Sequence, residues 1–160
     1  MKKKLFIIVS IIVLSMILSV SLVACGNKYA DDPIIGNYLT EDGRNYIQII
    51  NCKAENPDYE YEQHFRLMNT YIGHDEKFYV SEIIILFNKE TQNYEFLNHN
   101  EKNFYIFPLQ CDQNKGQVII DEQGITLKVH PFGDVEKEIK LTKTSTATVD
   151  EWKASKPWLA

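Results

Sequence analysis

Cysteine is the residue type with the most chemistry to offer in this chain, and it occurs at Cys25, Cys52 and Cys111. Cys25 ends an apolar run, where a thiol can be acylated, whereas Cys52 and Cys111 each follow a predicted strand. In an exported domain the latter two could pair, closing a long loop and contributing roughly 4 kcal/mol through lost unfolded-chain entropy. The alternative is two separate, partly buried thiols, and spacing alone leaves both open. The histidines, His64, His74, His99 and His130, fall in different predicted strands or loops without the paired spacing of a zinc site. Each reads as a surface or singly hydrogen-bonded imidazole, and no metal is expected. Asp112, Asn114 and Gly116 superficially resemble the start of a calcium loop, but Lys115 intervenes and Gln123 stands where a bidentate Glu is required, so a turn is expected. Asp58, Glu60 and Glu62 alternate with Tyr59 and Tyr61, which in an extended segment puts the carboxylates on one face. That face is expected to be solvated, because adjacent carboxylates raise each other's pKa and prefer water. No serine-nucleophile elbow, phosphate-cradling glycine loop or zinc-protease motif is present. A non-enzymatic role without a cofactor is expected, with hydrolysis by a pair of scattered carboxylates as the remaining catalytic alternative.

The elements that would position Cys25 are the clearest in the chain. Lys2, Lys3 and Lys4 precede an apolar run from Leu5 to Val23, relieved only by Ser10, Ser15, Ser19 and Ser21. This is the layout of an export signal, although the run is also just long enough to cross a bilayer as a retained helix. Leu22, Val23, Ala24 and Cys25 resemble the lipobox of bacterial lipoproteins, in which Leu and two small or modest residues lead to an obligatory Cys. The resemblance implies cleavage between Ala24 and Cys25 and a diacylglyceryl group on the Cys25 thiol, with membrane anchoring on the extracytoplasmic face. Two acyl chains make the attachment stable where one would be marginal. Residues 1–24 are then the signal peptide, 25–33 a tether, and 34–160 a single β domain. The tether's polar part, Asn27–Pro33, spans about 25 Å for seven extended residues, which keeps the domain close to the membrane.

Composition narrows the partners. The chain carries 17 basic and 22 acidic residues, a formal charge of −5, and every acidic residue lies after Cys25. Loss of Lys2–Lys4 would leave the remainder more acidic still. Such a domain is repelled by phosphate, which argues against nucleic acid and against lying flat on anionic lipid. Its charge suits solubility or a basic partner.

From Ile34 onward, stretches rich in Ile, Val, Tyr, Phe and Thr alternate with Gly, Asn and Asp clusters, the pattern of an antiparallel all-β domain. Strands are predicted at 35–40, 44–51, 61–71, 78–88, 94–98, 104–109, 117–121, 125–130 and 137–142. Glu41, Asp42 and Gly43 predict a tight hairpin, since an Asp-Gly step supplies positive backbone angles. In the second strand Ile47 and Ile49 should face inward, opposite Tyr46, Gln48 and Ile50. A meander of eight or nine strands resolves its edges as a small barrel or barrel-like sheet. At the tail, Thr148 and Glu151 are spaced like a capping box, so one short C-terminal helix is expected through Trp152–Lys156 before Pro157. Trp152 and Trp158 should anchor it on the barrel, each needing a partner for its indole nitrogen.

Gly36, Asn37 and Tyr38 in the first strand, with the meander and late helix, weakly resemble the lipocalin or calycin-like pattern. That family typically has Trp where this chain has Tyr38. The resemblance implies a ligand-holding barrel, for which Tyr94, Phe96, Phe104, Tyr105 and Phe107 could line a pocket; aromatic packing in a core explains the same residues. The expected function is a lipid-anchored binding module for a small apolar ligand or an envelope protein. The alternatives are a structural or envelope-assembly lipoprotein without a pocket and, less favoured, a small carboxylate-dependent hydrolase.

Overall fold

Alternation along the strands decides which side chains fill the interior. In the second strand Asn45, Ile47 and Ile49 are fully buried on one face, as the sequence pattern predicts for the two isoleucines. The same odd-numbered parity carries through Phe65, Leu67 and Asn69, through Ile83 and Ile85, and through Ile125, Leu127 and Val129, all buried. In this computed structural model residues 31–97, 104–122, 124–132 and 134–156 are described, without the side chains of residues 113 and 114. The leader, Cys25, the tether up to residue 30, His99, Gln123 and Trp158 lie outside them. No helix among the described residues is long and apolar enough to cross a membrane.

The elements run β1 (Gly36–Thr40), β2 (Asn45–Asn51), α1 (Cys52–Glu55), β3 (His64–Ile72), β4 (Phe78–Asn88), β5 (Asn93–Leu97), β6 (Phe104–Ile106), β7 (Leu109–Ile120), β8 (Gly124–Pro131), β9 (Lys137–Lys143) and α2 (Val149–Ala154). Sheet order is β5-β4-β3-β2-β1-β9-β8-β7-β6, and a further β5–β7 pairing closes eight of the nine strands into an antiparallel barrel. Closure removes the sheet edges that an open meander would expose. The closing seam is short, with Tyr94 opposite Val118 and Glu95 opposite Gln117. Gly116 permits it, because a Cβ there would run into the Phe96 ring.

The first hairpin forms as its residues require. Gly43 adopts φ 65°, its N–H donates to Thr40 O at 2.8 Å, and Asp42 Oδ1 accepts from Arg44 N at 3.0 Å. Three predicted boundaries need correction. The strand expected from residue 61 begins at His64, because Asn51 caps a one-turn helix, α1, and Asn56 holds the following turn through Asp58 N at 3.2 Å. Asp58, Glu60 and Glu62 thus lie on a turn and not on a strand face. The strand expected at 117–121 is the far end of a longer β7, which already pairs with β6 at Leu109–Cys111. Between Cys111 and Gly116 the chain bulges opposite His130 of β8 alone, so Asp112 and Lys115 belong to an irregular strand segment. The helix starts at Val149, three residues before the expected span, directly after its Thr148 cap.

The capping box itself forms: Thr148 Oγ1 accepts from Glu151 N at 3.1 Å and Glu151 Oε2 accepts from Thr148 N at 3.3 Å. It aims Trp152 at the outer face of the barrel, where its ring stacks on Tyr46 at 5.8 Å and meets Phe78 edge-on at 5.6 Å. Trp152 is the anchor the sequence suggests, but its buried indole nitrogen has no hydrogen-bond partner among the described residues. Inside, eighteen buried residues from Ile34 to Leu141 form one contiguous core. Tyr38 belongs to it, its hydroxyl donating to Ile34 O at 2.8 Å, and burial followed by the nearby Asp32 charge pushes its pKa up to about 12.

Candidate functional site at the barrel mouth

The strand left out of the closed barrel builds the most distinctive surface. Phe104 and Ile106 of β6 point into the barrel and are fully buried, so Tyr105 and Phe107 must point away from it. The hairpin from β6 to β7 turns at Phe107 and Pro108 and lies across the barrel end formed by the start of β2, the end of β3 and the start of β4.

A short strand paired on one side only has backbone groups to satisfy, and inward polar residues do it. Asn45 Oδ1 accepts from Phe107 N at 2.8 Å while Asn45 Nδ2 donates to Phe107 O at 3.0 Å. Asn69 Nδ2 donates to Tyr105 O at 2.9 Å and to Asn45 Oδ1 at 3.0 Å. Ser81 Oγ donates to Tyr105 O at 2.7 Å and accepts from Tyr105 N at 3.2 Å. Thr40 Oγ1 accepts from Asn45 N at 3.2 Å and donates to Asp42 Oδ1 at 2.6 Å, which ties this network to the first hairpin. Side chains of three barrel strands therefore stand in for a missing neighbour and hold β6 as a stopper.

On the outer side of the stopper the rings gather. Tyr71 and Tyr79, cross-strand partners at the rims of β3 and β4, stack at 5.6 Å. Tyr71 also stacks on Tyr105 at 6.2 Å and on Phe107 at 6.3 Å, with interplanar angles of 15° and 23°. His74 meets the Phe107 ring edge-on at 4.7 Å, and the Arg44 guanidinium lies 4.7 Å from the same ring centroid while Nη2 donates to Gly73 O at 2.9 Å. Tyr79 is 42% exposed, and its hydroxyl donates to Asp75 Oδ2 at 2.8 Å. That bond raises the Tyr79 pKa and lowers that of Asp75. Burial, then the neighbouring Tyr105 and Tyr79 phenols, pushes the Tyr71 phenol upward. Beyond Phe107 an open groove of about 690 Å³ runs between Thr40–Asp42, Pro108, Leu109 and Glu138–Lys140. The shelf offers π faces, a guanidinium already oriented over one of them, and hydroxyls at the rim, which is the chemistry of a recognition surface.

No family model, curated protein or solved structure matches the chain. The reading of the site rests on its own geometry.

The residues singled out from sequence fall in different places. Cys52 and Cys111 are both free and buried, Cys52 at the start of α1 and Cys111 in the main core, so of the two alternatives the separate thiols are present and the pairing is not. Burial raises both thiol pKa values, that of Cys111 to about 11. His64 is buried, with Nδ1 3.2 Å from the Tyr59 hydroxyl and its ring stacked on Tyr61 at 4.6 Å. His130 Nε2 lies 3.2 Å from Glu136 Oε2, and His74 belongs to the shelf. Among the described residues no group of His, Cys, Asp and Glu could hold a metal ion. The aromatic set divides by parity: Tyr94, Phe96 and Phe104 are core, whereas Tyr105 and Phe107 are shelf. Sequence reading missed Tyr71, Tyr79 and Arg44, and the signal that could have found the two tyrosines is their odd, inward parity at strand ends, where the barrel no longer has an interior to receive them.

Proposed function

We propose that the chain is a lipid-anchored extracytoplasmic binding module that grips an envelope protein on the aromatic shelf of its stoppered mouth. The observation that carries this reading is the convergence of half-buried Tyr71, Tyr105, Phe107 and Arg44 with exposed Tyr79 and His74 on one surface. Tyr and Arg dominate binding energy at protein interfaces, because a large, stiff ring or a planar guanidinium buries much area at small entropic cost. The lipobox-like Leu22–Cys25 supports the location, and the acidic composition favours a partner with a basic rim. The small apolar ligand of a lipocalin-like barrel has less support, since Tyr38, Phe65, Phe96 and Phe104 occupy inward positions in one packed cluster.

The test places a photoreactive phenylalanine analogue at Tyr79 and, as a control, at the exposed Val135 in the full chain in cells. A reproducible adduct at Tyr79 that is absent at Val135 and lost in Phe107→Ala is expected. Equal labelling from both positions, or none, overturns the shelf as the binding surface. Replacement of Cys25 by Ala tests the location separately: the acylated form should disappear, and an intact mass that falls only by the sulfur atom lost in the substitution would remove the anchor.

A further inference from the structure

The stopper lies over β2, β3 and β4, and on the β1 and β9 side of the mouth the chain leaves a groove of about 690 Å³. The turn after β1, the β6–β7 turn and the early part of β9 enclose it. Its floor is apolar. Leu109 and Ile139 are half-buried there and pack against the main core, and the Phe107 ring belongs both to the groove and to the shelf. Its walls are acidic. Glu41 and Asp42 stand on one side and Glu138 on the other, all three exposed, with Lys140 as the opposing charge among the lining residues. Glu138 lies 3.6 Å from Lys128, a cation it shares with Glu136 at 3.8 Å, so its charge is only partly met.

An apolar floor between carboxylate walls is complementary to one kind of side chain, a long aliphatic stem that ends in a cation. A wholly apolar group seated there would strip water from the carboxylates and return nothing for it, and an acidic one would meet like charge. We infer that the groove seats a lysine or arginine side chain of the protein that grips the shelf, its stem on Leu109 and Ile139 and its charged head among Glu41, Asp42 and Glu138. Because Phe107 borders both surfaces, one short stretch of the partner reaches both. The volume is that of a ligand pocket, within the usual range of about 300–1,000 Å³, which is room for a few side chains. The inference rests on the shelf reading and adds to it the residue by which the partner is chosen, since a partner with a carboxylate at that place is rejected.

The probe is N-acetyl-arginine amide, with the neutral N-acetyl-citrulline amide as its control, titrated into the purified full chain while the methyl groups of Leu109 and Ile139 are followed by NMR. The arginine probe should shift both residues saturably, and the citrulline probe should not. Glu41→Gln with Glu138→Gln should weaken the arginine response about fivefold, in keeping with the loss of two exposed ion pairs, and Lys140→Gln should strengthen it. Asp42 is left in place, because its Oδ1 accepts from Thr40 Oγ1 and Arg44 N and holds the first hairpin. Equal responses to the two probes, or none at these methyls, overturn the seat. So do Leu109 and Ile139 signals that move with protein concentration, or in Trp158→Ala, without any probe, since the occupant is then a second copy or the chain's own tail.

A second measurement separates the seat from the shelf. In cells, Glu41→Lys with Glu138→Lys should lower the adduct formed from the photoreactive residue at position 79 about tenfold, because like charges then face the incoming cation. An adduct missing already in the parent removes the shelf reading together with the seat that rests on it. An adduct present in the parent and undiminished by the double charge reversal removes the seat alone.

Discussion

Two appendages lie on the closed barrel, and they are held by opposite kinds of force. α2 is fastened to the outside by apolar area: Trp152 is buried against Tyr46, Phe78 and Ile72, with an indole nitrogen that has no partner among the described residues. β6 is fastened across the mouth by hydrogen bonds from Asn45, Asn69 and Ser81 to its backbone, in addition to the two apolar residues it inserts. Apolar contact has no fixed direction and tolerates a ring turned by some degrees. Paired amide bonds fix register, so Tyr105 and Phe107 present their rings at one height and angle. An element whose outer face is to be recognised gains from the second kind of attachment, and one that only covers a strand needs only the first.

The largest expected effect is on the apolar side. Trp152→Ala should destabilise the domain by about 3–5 kcal/mol, the usual cost of emptying a large aromatic site, with the loss read from denaturant unfolding. Trp152→Phe should recover much of it, because the missing indole N–H has no partner among the described residues to lose. If Phe is as damaging as Ala, the indole nitrogen is bonded in solution and the contrast between the two attachments weakens.

On the polar side the comparison predicts inequality between two asparagines of equal burial. Asn45→Ala strips both Phe107 N and Phe107 O of their partners, and at about 1–3 kcal/mol for each buried group left unpaired it should cost about 3 kcal/mol. Asn69→Ala should cost only about 1 kcal/mol, near the net value of one hydrogen bond. Tyr105 O keeps its bond from Ser81 Oγ, Asn45 Oδ1 keeps its bond from Phe107 N, and the deleted Asn69 Oδ1 is itself buried without a partner among the described residues. Equal costs would mean that the stopper is held by packing of Phe104 and Ile106, and the amide network would be incidental.

The same division explains what could be read from the sequence. The barrel's strands show as alternation, the hairpin as Asp42-Gly43, and α2 as Thr148, Glu151 and Trp152, because apolar parity, turn angles and caps are local. The β5–β7 seam is not local. It depends on Gly116 yielding space to Phe96 and on β6 pairing only with the first residues of β7, and the residues that hold β6, Asn45, Asn69 and Ser81, read in sequence as interruptions of an apolar face. Tyr71 and Tyr79 likewise show ordinary strand alternation, and only the stopper above them turns their rings into a surface. Free Cys52 and Cys111 illustrate the same limit, since pairing depends on where two distant strand ends fall.

The smallest expected effect lies at the rim of the shelf, where polar attachment meets water. The hydrogen bond from the Tyr79 hydroxyl, with help from Lys77, holds the Asp75 carboxyl below the ordinary carboxylate range. A depressed folded-state pKa contributes stability that is present above the unfolded value, near about 4, and is lost as pH falls through the lower folded value. Asp75 is solvated, so global unfolding should barely register this bond or its loss in Tyr79→Phe. The local readout is sharper. The Asp75 carboxyl, followed by NMR, should titrate at lower pH in the parent than in Tyr79→Phe, while the other shelf rings keep their shifts. If the two titrations coincide, the Tyr79–Asp75 bond is absent in solution, and the shelf's rim is positioned by ring stacking on Tyr71 alone.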